Sequence, residues 1–264
     1  MTRFAPAPTG LLHLGHVANA VWVWGAARAS GGRVLLRIED HDRERSRPEY
    51  DAALLEDLAW LGFAADAGPV RQSDADAIEA YTAALRALRE DGLAYGCDCT
   101  RSTLAEARWS GPGCPGGCRE RELRGPVVRV ALGGGSEAWT DLQVGPSSGP
   151  VAVGGDLPIR DRRGNWTYGF CVVVDDLRQG VELVVRGEDL AGATPAQLRL
   201  ARILGRPAPP AFLHHPLIRR PDGRKLSKSA GDTGVRELRG GGATPDDVIA
   251  AALAALQPAQ PPAR

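Results

Sequence analysis

Apolar and polar positions in the first forty residues predict strand, helix, strand. Thr2 to Pro6 reads as a short strand that runs into the turn Pro8-Thr9-Gly10. Val17 to Ala29 is apolar with many small residues and stops at Gly31-Gly32, as a buried helix would. Arg33 to Glu39 (RVLLRIE) then reads as a strand buried on both faces. So short a βαβ unit makes an α/β fold with a parallel sheet the default, because parallel neighbours need a crossover. Helices are predicted from about Pro48 to Leu61 and from Asp74 to Glu90, the second capped by Ser73. From Cys97 to about Gly155 the texture changes to cysteines, glycines and short β-like pieces such as Val127 to Leu132, which predicts an inserted subdomain. The sheet is expected to resume with strands at Trp166 to Asp175 and Val181 to Arg186, followed by a helix from about Pro195 to Leu204 capped by Thr194. A last helix is expected from Pro245 to Leu256, begun by Thr244 with proline at its first position. The expected division is residues 1–96 and 156–256 as the two halves of the α/β domain, 97–155 as the insertion, and 257–264 as a Pro-rich tail that does not fold.

Composition narrows the classes. With 264 residues, 43% of them hydrophobic, the chain can bury a sizeable core, which excludes a disordered or fibrous protein. Equal numbers of basic and acidic residues, 32 of each, leave no global field toward nucleic acid or anionic membrane. Any RNA contact must then come from a local patch. Arg160, Arg162 and Arg163 are the local candidates, though a solvated arginine-rich turn has the same sequence. No run of apolar residues is long enough to span a membrane, and Pro6 and Pro8 interrupt the place of an export signal, so a cytoplasmic protein with no membrane partner is expected. All basic residues except Lys225 and Lys228 are arginine. Two lysines three residues apart therefore stand out as ammonium groups that a rigid guanidinium fork does not replace.

His13-Leu14-Gly15-His16 lies between a first strand and a first helix, where backbone N–H groups and the helix dipole favour phosphate. Much later, Lys225-Leu226-Ser227-Lys228-Ser229 offers two ammonium groups and two hydroxyls in a loop. Together they suggest a nucleotide held at a helix start and clamped by a cationic loop. No G-x-x-x-x-G-K-[ST] run is present, so a P-loop is excluded.

PAPTGLLHLGH and KLSKS resemble the HIGH and KMSKS signatures of class I aminoacyl-tRNA synthetases, and RIEDHDRERS and VVRGEDL resemble segments of their glutamyl branch. The match runs in family order from Arg3 to about Ser229. The resemblance implies a Rossmann-like catalytic domain that joins glutamate to ATP and passes it to tRNA, with Mg²⁺ accompanying ATP. It gives His13, His16 and Lys228 the stabilisation of the reacting α-phosphate, with Lys225 assisting and Gly15 beside the nucleotide. It assigns Arg3, Ala7, Glu39, Tyr168 and Arg186 to the glutamate pocket. Ala7 departs from the serine usual in the family, which removes one hydroxyl contact, worth about 0.5–1.5 kcal/mol. The segment after Ser229 is short where full synthetases carry a helical anticodon-binding region, so no such domain is expected. That implies the truncated branch, which esterifies glutamate onto queuosine in the tRNA(Asp) anticodon, acting as a monomer. The cyclopentene cis-diol of queuosine resembles the terminal ribose diol of tRNA, so one acyl-transfer site suits either. A shortened synthetase charging tRNA(Glu), an HxGH nucleotidyltransferase and a non-enzymatic RNA-binding module remain as alternatives.

Four of the five cysteines, Cys97, Cys99, Cys114 and Cys118, fall within a short stretch. In a reducing compartment such clustering points to one structural zinc bound by thiolates, although neither pair has the common C-x₂-C spacing. In the truncated branch one ligand is often not cysteine, which singles out Cys114. Cys171, inside an apolar run, reads as simply buried. His41 reads as solvent-facing or structural, and His214-His215 as either a nucleotide contact or structural.

Overall fold

The computed structural model describes residues 1–106, 108, 113–122, 124–151, 154–218 and 234–256. The KLSKS loop, with Lys225 and Lys228, and the Pro-rich tail lie outside the described residues.

The opening βαβ unit comprises β1 (Thr2–Phe4), α1 (Leu14–Ala29) and β2 (Val34–Ile38). β1 and β2 pair in parallel with Arg3 opposite Leu35, and every residue of β2 is buried. The small residues Ala18, Ala20 and Ala27 let the buried face of α1 approach the sheet closely. After α2 (Pro48–Trp60), β3 (Ala67–Arg71) adds in parallel beside β2, and α3 (Ala75–Glu90) follows. β4 (Ala94–Cys97) leads into the inserted stretch, which holds α4 (Arg101–Glu106), α5 (Gly117–Glu120), β5 (Val127–Val130), β6 (Ser136–Asp141) and β7 (Gly145–Pro150), and β8 (Leu157–Arg160) follows it. Strands β4, β5 and β8 form an antiparallel sheet. Next come α6 (Tyr168–Arg178), β9 (Leu183–Gly187), α7 (Thr194–Ile203), β10 (Ala211–His215), α8 (Val235–Gly240) and α9 (Pro245–Ala254).

β9 and β10 pair in parallel, β6 joins the other side of β10, and β7 closes that edge as an antiparallel hairpin partner. The β1-β2-β3 sheet meets this second sheet along β1 and β9, where the N–H groups of Glu182 and Leu183 donate to the Met1 carbonyl at 2.9 and 3.3 Å. From that seam the chain builds outward in opposite directions, through β2 on one side and β10 on the other. A seam of this kind opens a crevice beyond the carboxyl ends of the strands, which is where open parallel sheets take ligands.

Three readings of the sequence need correction. Trp166 to Asp175 is not a strand. Its core is α6, in which Phe170 to Asp176 are all buried. The run Phe170–Val174 is apolar at successive positions because all of it is buried, which imitates a strand, and the charged residues of α6 come only at its end, at Asp175, Asp176 and Arg178. β3 escapes notice because it contains the turn pair Gly68-Pro69, at a bulge in the pairing with β2. Gly68 has φ +89°, and a Cβ there would lie 2.3 Å from the Leu36 carbonyl oxygen. Finally, two expected caps do other work. The Ser73 hydroxyl bonds Asp40, so that α3 starts after Asp74, and Thr194 is the first residue of α7 with its hydroxyl turned to Arg186.

A buried charge network ties α6 to the sheet. Arg37, wholly buried on β2, donates to Asp176 at 2.7 Å and lies 3.9 Å from Asp175. Asp176 also accepts from Arg3 at 3.0 Å, and Asp175 accepts from Gln72, Tyr81 and Arg178 at 2.7–2.8 Å. Removing one partner of a buried pair leaves the other uncompensated. Arg37→Met is therefore expected to lower unfolding free energy by about 3–5 kcal/mol, read from the urea midpoint. An unchanged midpoint would show that the network contributes nothing to stability.

Candidate active site at the carboxyl edge of the parallel sheet

The start of α1 shows why histidines stand at this spacing. His13 is the N-cap, and its Nδ1 accepts the Gly15 N–H at 3.0 Å, while the His13 N–H donates to His16 Nδ1 at 3.1 Å. The two imidazoles thus replace the usual side chains of a capping box. Because each Nδ1 is an acceptor, each neutral ring carries its hydrogen on Nε2, where it serves as a donor. The rings lie 3.9 Å apart at 42°. A Cβ on Gly15 would sit 2.8 Å from His13 Cε1, so glycine is what lets the His13 ring fold over the helix start.

These residues line an open cleft of about 330 Å³, completed by Ala18, Asn19, Gly187, Asp189, Leu190 and the 215–218 stretch. His215 Nε2 lies 3.0 Å from Asn19 Oδ1, and Trp22 stacks on the His215 ring at 6.0 Å. The adjacent histidines therefore separate: His215 lines the cleft, whereas His214 is buried beneath Arg186.

Arg186, the residue before Gly187 at the end of β9, is 4% exposed and donates to neutral acceptors: His214 Nε2 at 3.1 Å, Gln197 Oε1 at 2.6 Å and Thr194 Oγ1 at 2.7 Å. Among the described residues no carboxylate lies within ion-pair distance of it. Burial pulls its pKa down, with the phenol of Tyr168 beside it acting the other way. Arg3, at the seam, is paired with Asp176 and also donates to the Val185 carbonyl at 3.2 Å. Glu39, which follows β2, donates its backbone N–H to the Pro6 carbonyl at 3.0 Å, fixing it against the loop that carries Ala7. Burial raises the Glu39 carboxyl to about 7 against the pull of Arg37 and Arg3. Burial and then the charge of Glu39 raise the Tyr168 phenol, at the start of α6. Tyr168 and Arg3 thus each lie within electrostatic range of both Glu39 and Arg186.

Local pattern does not mark Asn19, inside α1, as a cleft residue, and it marks Thr194 only as a cap. Gln197 and Asp141 are likewise found only once β6, α7 and β10 are in place. His41 is structural, with Nδ1 2.7 Å from Gln72 Oε1. The arginine-rich turn is engaged within the protein: Arg160 lies 3.8 Å over the Trp166 ring, Arg162 donates to the Asp98 carbonyl and Arg163 pairs with Glu44. Among the described residues no helix is long and apolar enough to cross a membrane.

The cysteine cluster is real in space. The sulfurs of Cys97, Cys99, Cys114 and Cys118 all lie within 4.8 Å of one another, with Cys99 3.6 Å from Cys114 and 3.4 Å from Cys118. Those separations are far too long for disulfides and close to the ~3.8 Å that Zn–S bonds of ~2.3 Å would impose in a tetrahedron. Burial opposes ionisation of Cys114, but N–H groups of Cys118 and Gly116 bring its thiol down to about 7. Cys114 is a full member of the group, which could hold a metal ion. Cys171 is buried as expected, but in α6.

The family model for the catalytic domain of class I tRNA synthetases of the E and Q type matches residues 1–253. The chain belongs to that family. Among its relatives, a glutamyl-Q tRNA(Asp) synthetase of Symbiobacterium thermophilum is 41% identical over 94% of this chain and 83% of its own length. A glutamate–tRNA ligase of Synechococcus sp. is 42% identical over 92% of this chain but 54% of its own. The crystal structure of a glutamate tRNA ligase from Elizabethkingia meningosepticum in complex with its amino acid superposes with TM-score 0.72 and 29% identity, over 87% of this chain and 52% of that one. The chain thus spans about half the length of the glutamate–tRNA ligases it matches. The resemblance read from the ordered motifs is borne out at the level of the family.

Two outcomes follow from the site's electrostatics and its thiols. The fold favours protonated Glu39, so this group withdraws stability as pH rises from the ordinary carboxyl range through about 7. Glu39→Gln, neutral throughout, should lose that fall and be the more stable protein above pH 7; urea midpoints at pH 5 and 8 decide it, and equal pH dependence in both proteins would contradict it. Cys114→Ser should cut metal retained after dialysis at least tenfold, as an order of magnitude, measured by elemental analysis. Retention equal to the unaltered protein would remove Cys114 from the ligand set.

Proposed function

We propose that the chain activates L-glutamate with ATP and passes the glutamyl group to the cyclopentene diol of queuosine in tRNA(Asp). One observation carries the activation step: a buried guanidinium with only neutral partners stands near the end of β9, next to a cleft lined by the imidazoles of His13, His16 and His215. A buried charge is ordinarily paired, and the side-chain carboxylate of glutamate is the anion that completes Arg186. Tyr168 and Arg3 lie within electrostatic range of Arg186. The substrate ammonium restores the ionised form of Glu39, which burial alone disfavours. Ala7 lies where one more hydroxyl would contact substrate.

Nucleotide occupies the neighbouring cleft at the start of α1. His13 and His16 donate from Nε2 to the α-phosphate, near the helix N-terminus and Gly15. An oxygen of the glutamate α-carboxylate attacks the α-phosphorus, and pyrophosphate leaves. Lys228, with Lys225, offsets the growing negative charge. Mg²⁺ arriving with ATP supplies further neutralisation of the triphosphate. A diol oxygen then attacks the activated carbonyl carbon, and AMP departs with the bonding electron pair. Cys97, Cys99, Cys114 and Cys118 hold one structural zinc that braces the inserted segment, residues 97–155.

The relatives named glutamyl-Q tRNA(Asp) synthetase support the queuosine acceptor. The glutamate–tRNA ligases of equal identity favour a second reading, in which the acceptor is the 3′ end of tRNA(Glu). ATP–pyrophosphate exchange should depend on L-glutamate and vanish in Lys228→Ala. Labelled glutamate should then reach queuosine-containing tRNA(Asp) and be absent from tRNA(Asp) lacking the modified base. Exchange with label only on tRNA(Glu) would replace the acceptor, and no glutamate-dependent exchange would overturn the activity.

A further inference from the structure

Arg186 is oriented by a chain of groups that reaches β6 of the inserted stretch. His214 stands directly opposite it in the parallel register of β9 and β10. Its Nε2 lies 3.1 Å from Arg186 Nε and 3.3 Å from the Thr194 hydroxyl, and its Nδ1 lies 2.5 Å from Asp141 Oδ2. A guanidinium only donates, so Nε2 must be the acceptor and Nδ1 must carry the hydrogen that Asp141 receives. Asp141 is itself held by the Gln143 N–H at 2.9 Å. Phe212 stacks on the His214 ring at 5.5 Å and 3°, which blocks its rotation. Asp141, His214 and Thr194 are each at most 9% exposed.

The order of the groups matters. A carboxylate bonded straight to Arg186 would neutralise it and compete with an anionic ligand. An intervening neutral imidazole fixes the plane of the guanidinium while keeping the carboxylate one ring away. With His214, Gln197 and Thr194 each taking one of the five guanidinium hydrogens, the Tyr168 phenol is in hydrogen-bonding reach of the remainder, and a carboxylate would bind there beside it.

We propose that Asp141 and His214 are positioning residues for Arg186, holding it oriented but not neutralised for the carboxylate side chain of the amino-acid substrate. This deepens the reading above and rests on it.

The test is glutamate-dependent ATP–pyrophosphate exchange with the full chain. His214→Phe keeps a flat ring on Phe212 and removes the acceptor. It should raise KM for glutamate about tenfold or more, as loss of a hydrogen bond to a charged group does, with KM for ATP and kcat within about twofold. His214→Gln, which restores a carbonyl acceptor, should recover KM for glutamate to within about threefold of the unaltered chain. Should His214→Phe fail to fold, Asp141→Ala is read in the same way. An unaltered KM for glutamate, equal losses for ATP and glutamate, or no rescue by His214→Gln would each overturn the positioning role. Absence of glutamate-dependent exchange in the unaltered chain would instead overturn the activity beneath it, which keeps the two failures apart.

Discussion

The structure depends on how buried charge is distributed along one seam between two sets of parallel strands. Arg3 and Arg37 share Asp176, while Asp175 gathers Arg37, Arg178 and the polar groups of Gln72 and Tyr81. This part of the network closes on itself and fastens α6 to β1 and β2. Arg186 is left outside it, surrounded by acceptors that carry no charge. Burying an uncompensated cation is costly, and the fold tolerates it at the residue before Gly187, which lines the cleft.

Topology explains why the imbalance falls there. β1 and β9 end side by side, so the loop after β1, the start of α1 and the end of β9 share one crevice. Each of those elements brings a different chemistry. The helix start brings Nε2 donors whose tautomer is set by backbone N–H groups, and the strand end brings the guanidinium. Glu39, nearby and drawn toward its neutral form, makes the pocket receptive to a cation as well. An amino acid with a carboxylate side chain carries both kinds of charge, and this is the chemical basis of the activity proposed for the chain.

Much of this was legible in the residues. The βαβ opening, the last helix and its Thr244 cap follow from local pattern, and the four cysteines cluster as their spacing suggested. HxGH marked the helix start, although its role as a reciprocal cap needed coordinates. What pattern missed has physical causes. The α6 helix carries the unbroken, partly β-branched apolar run Phe170–Val174 and so reads as a strand. β3 is disguised by Gly68-Pro69. Asp141 and His214 lie 73 positions apart and meet only because β6 adds beside β10. Thr194 looked like a cap because hydroxyls at helix starts usually are, but the guanidinium claims it.

The most direct test of the central claim is a crystal structure with a non-hydrolysable glutamyl-adenylate analogue. The account predicts the side-chain carboxylate on Arg186, the ammonium group near Glu39, and the phosphate within hydrogen-bond reach of the Nε2 atoms of His13 and His16. An analogue bound elsewhere, or bound here with its carboxylate away from Arg186 and the imidazoles turned from the phosphate, would contradict it.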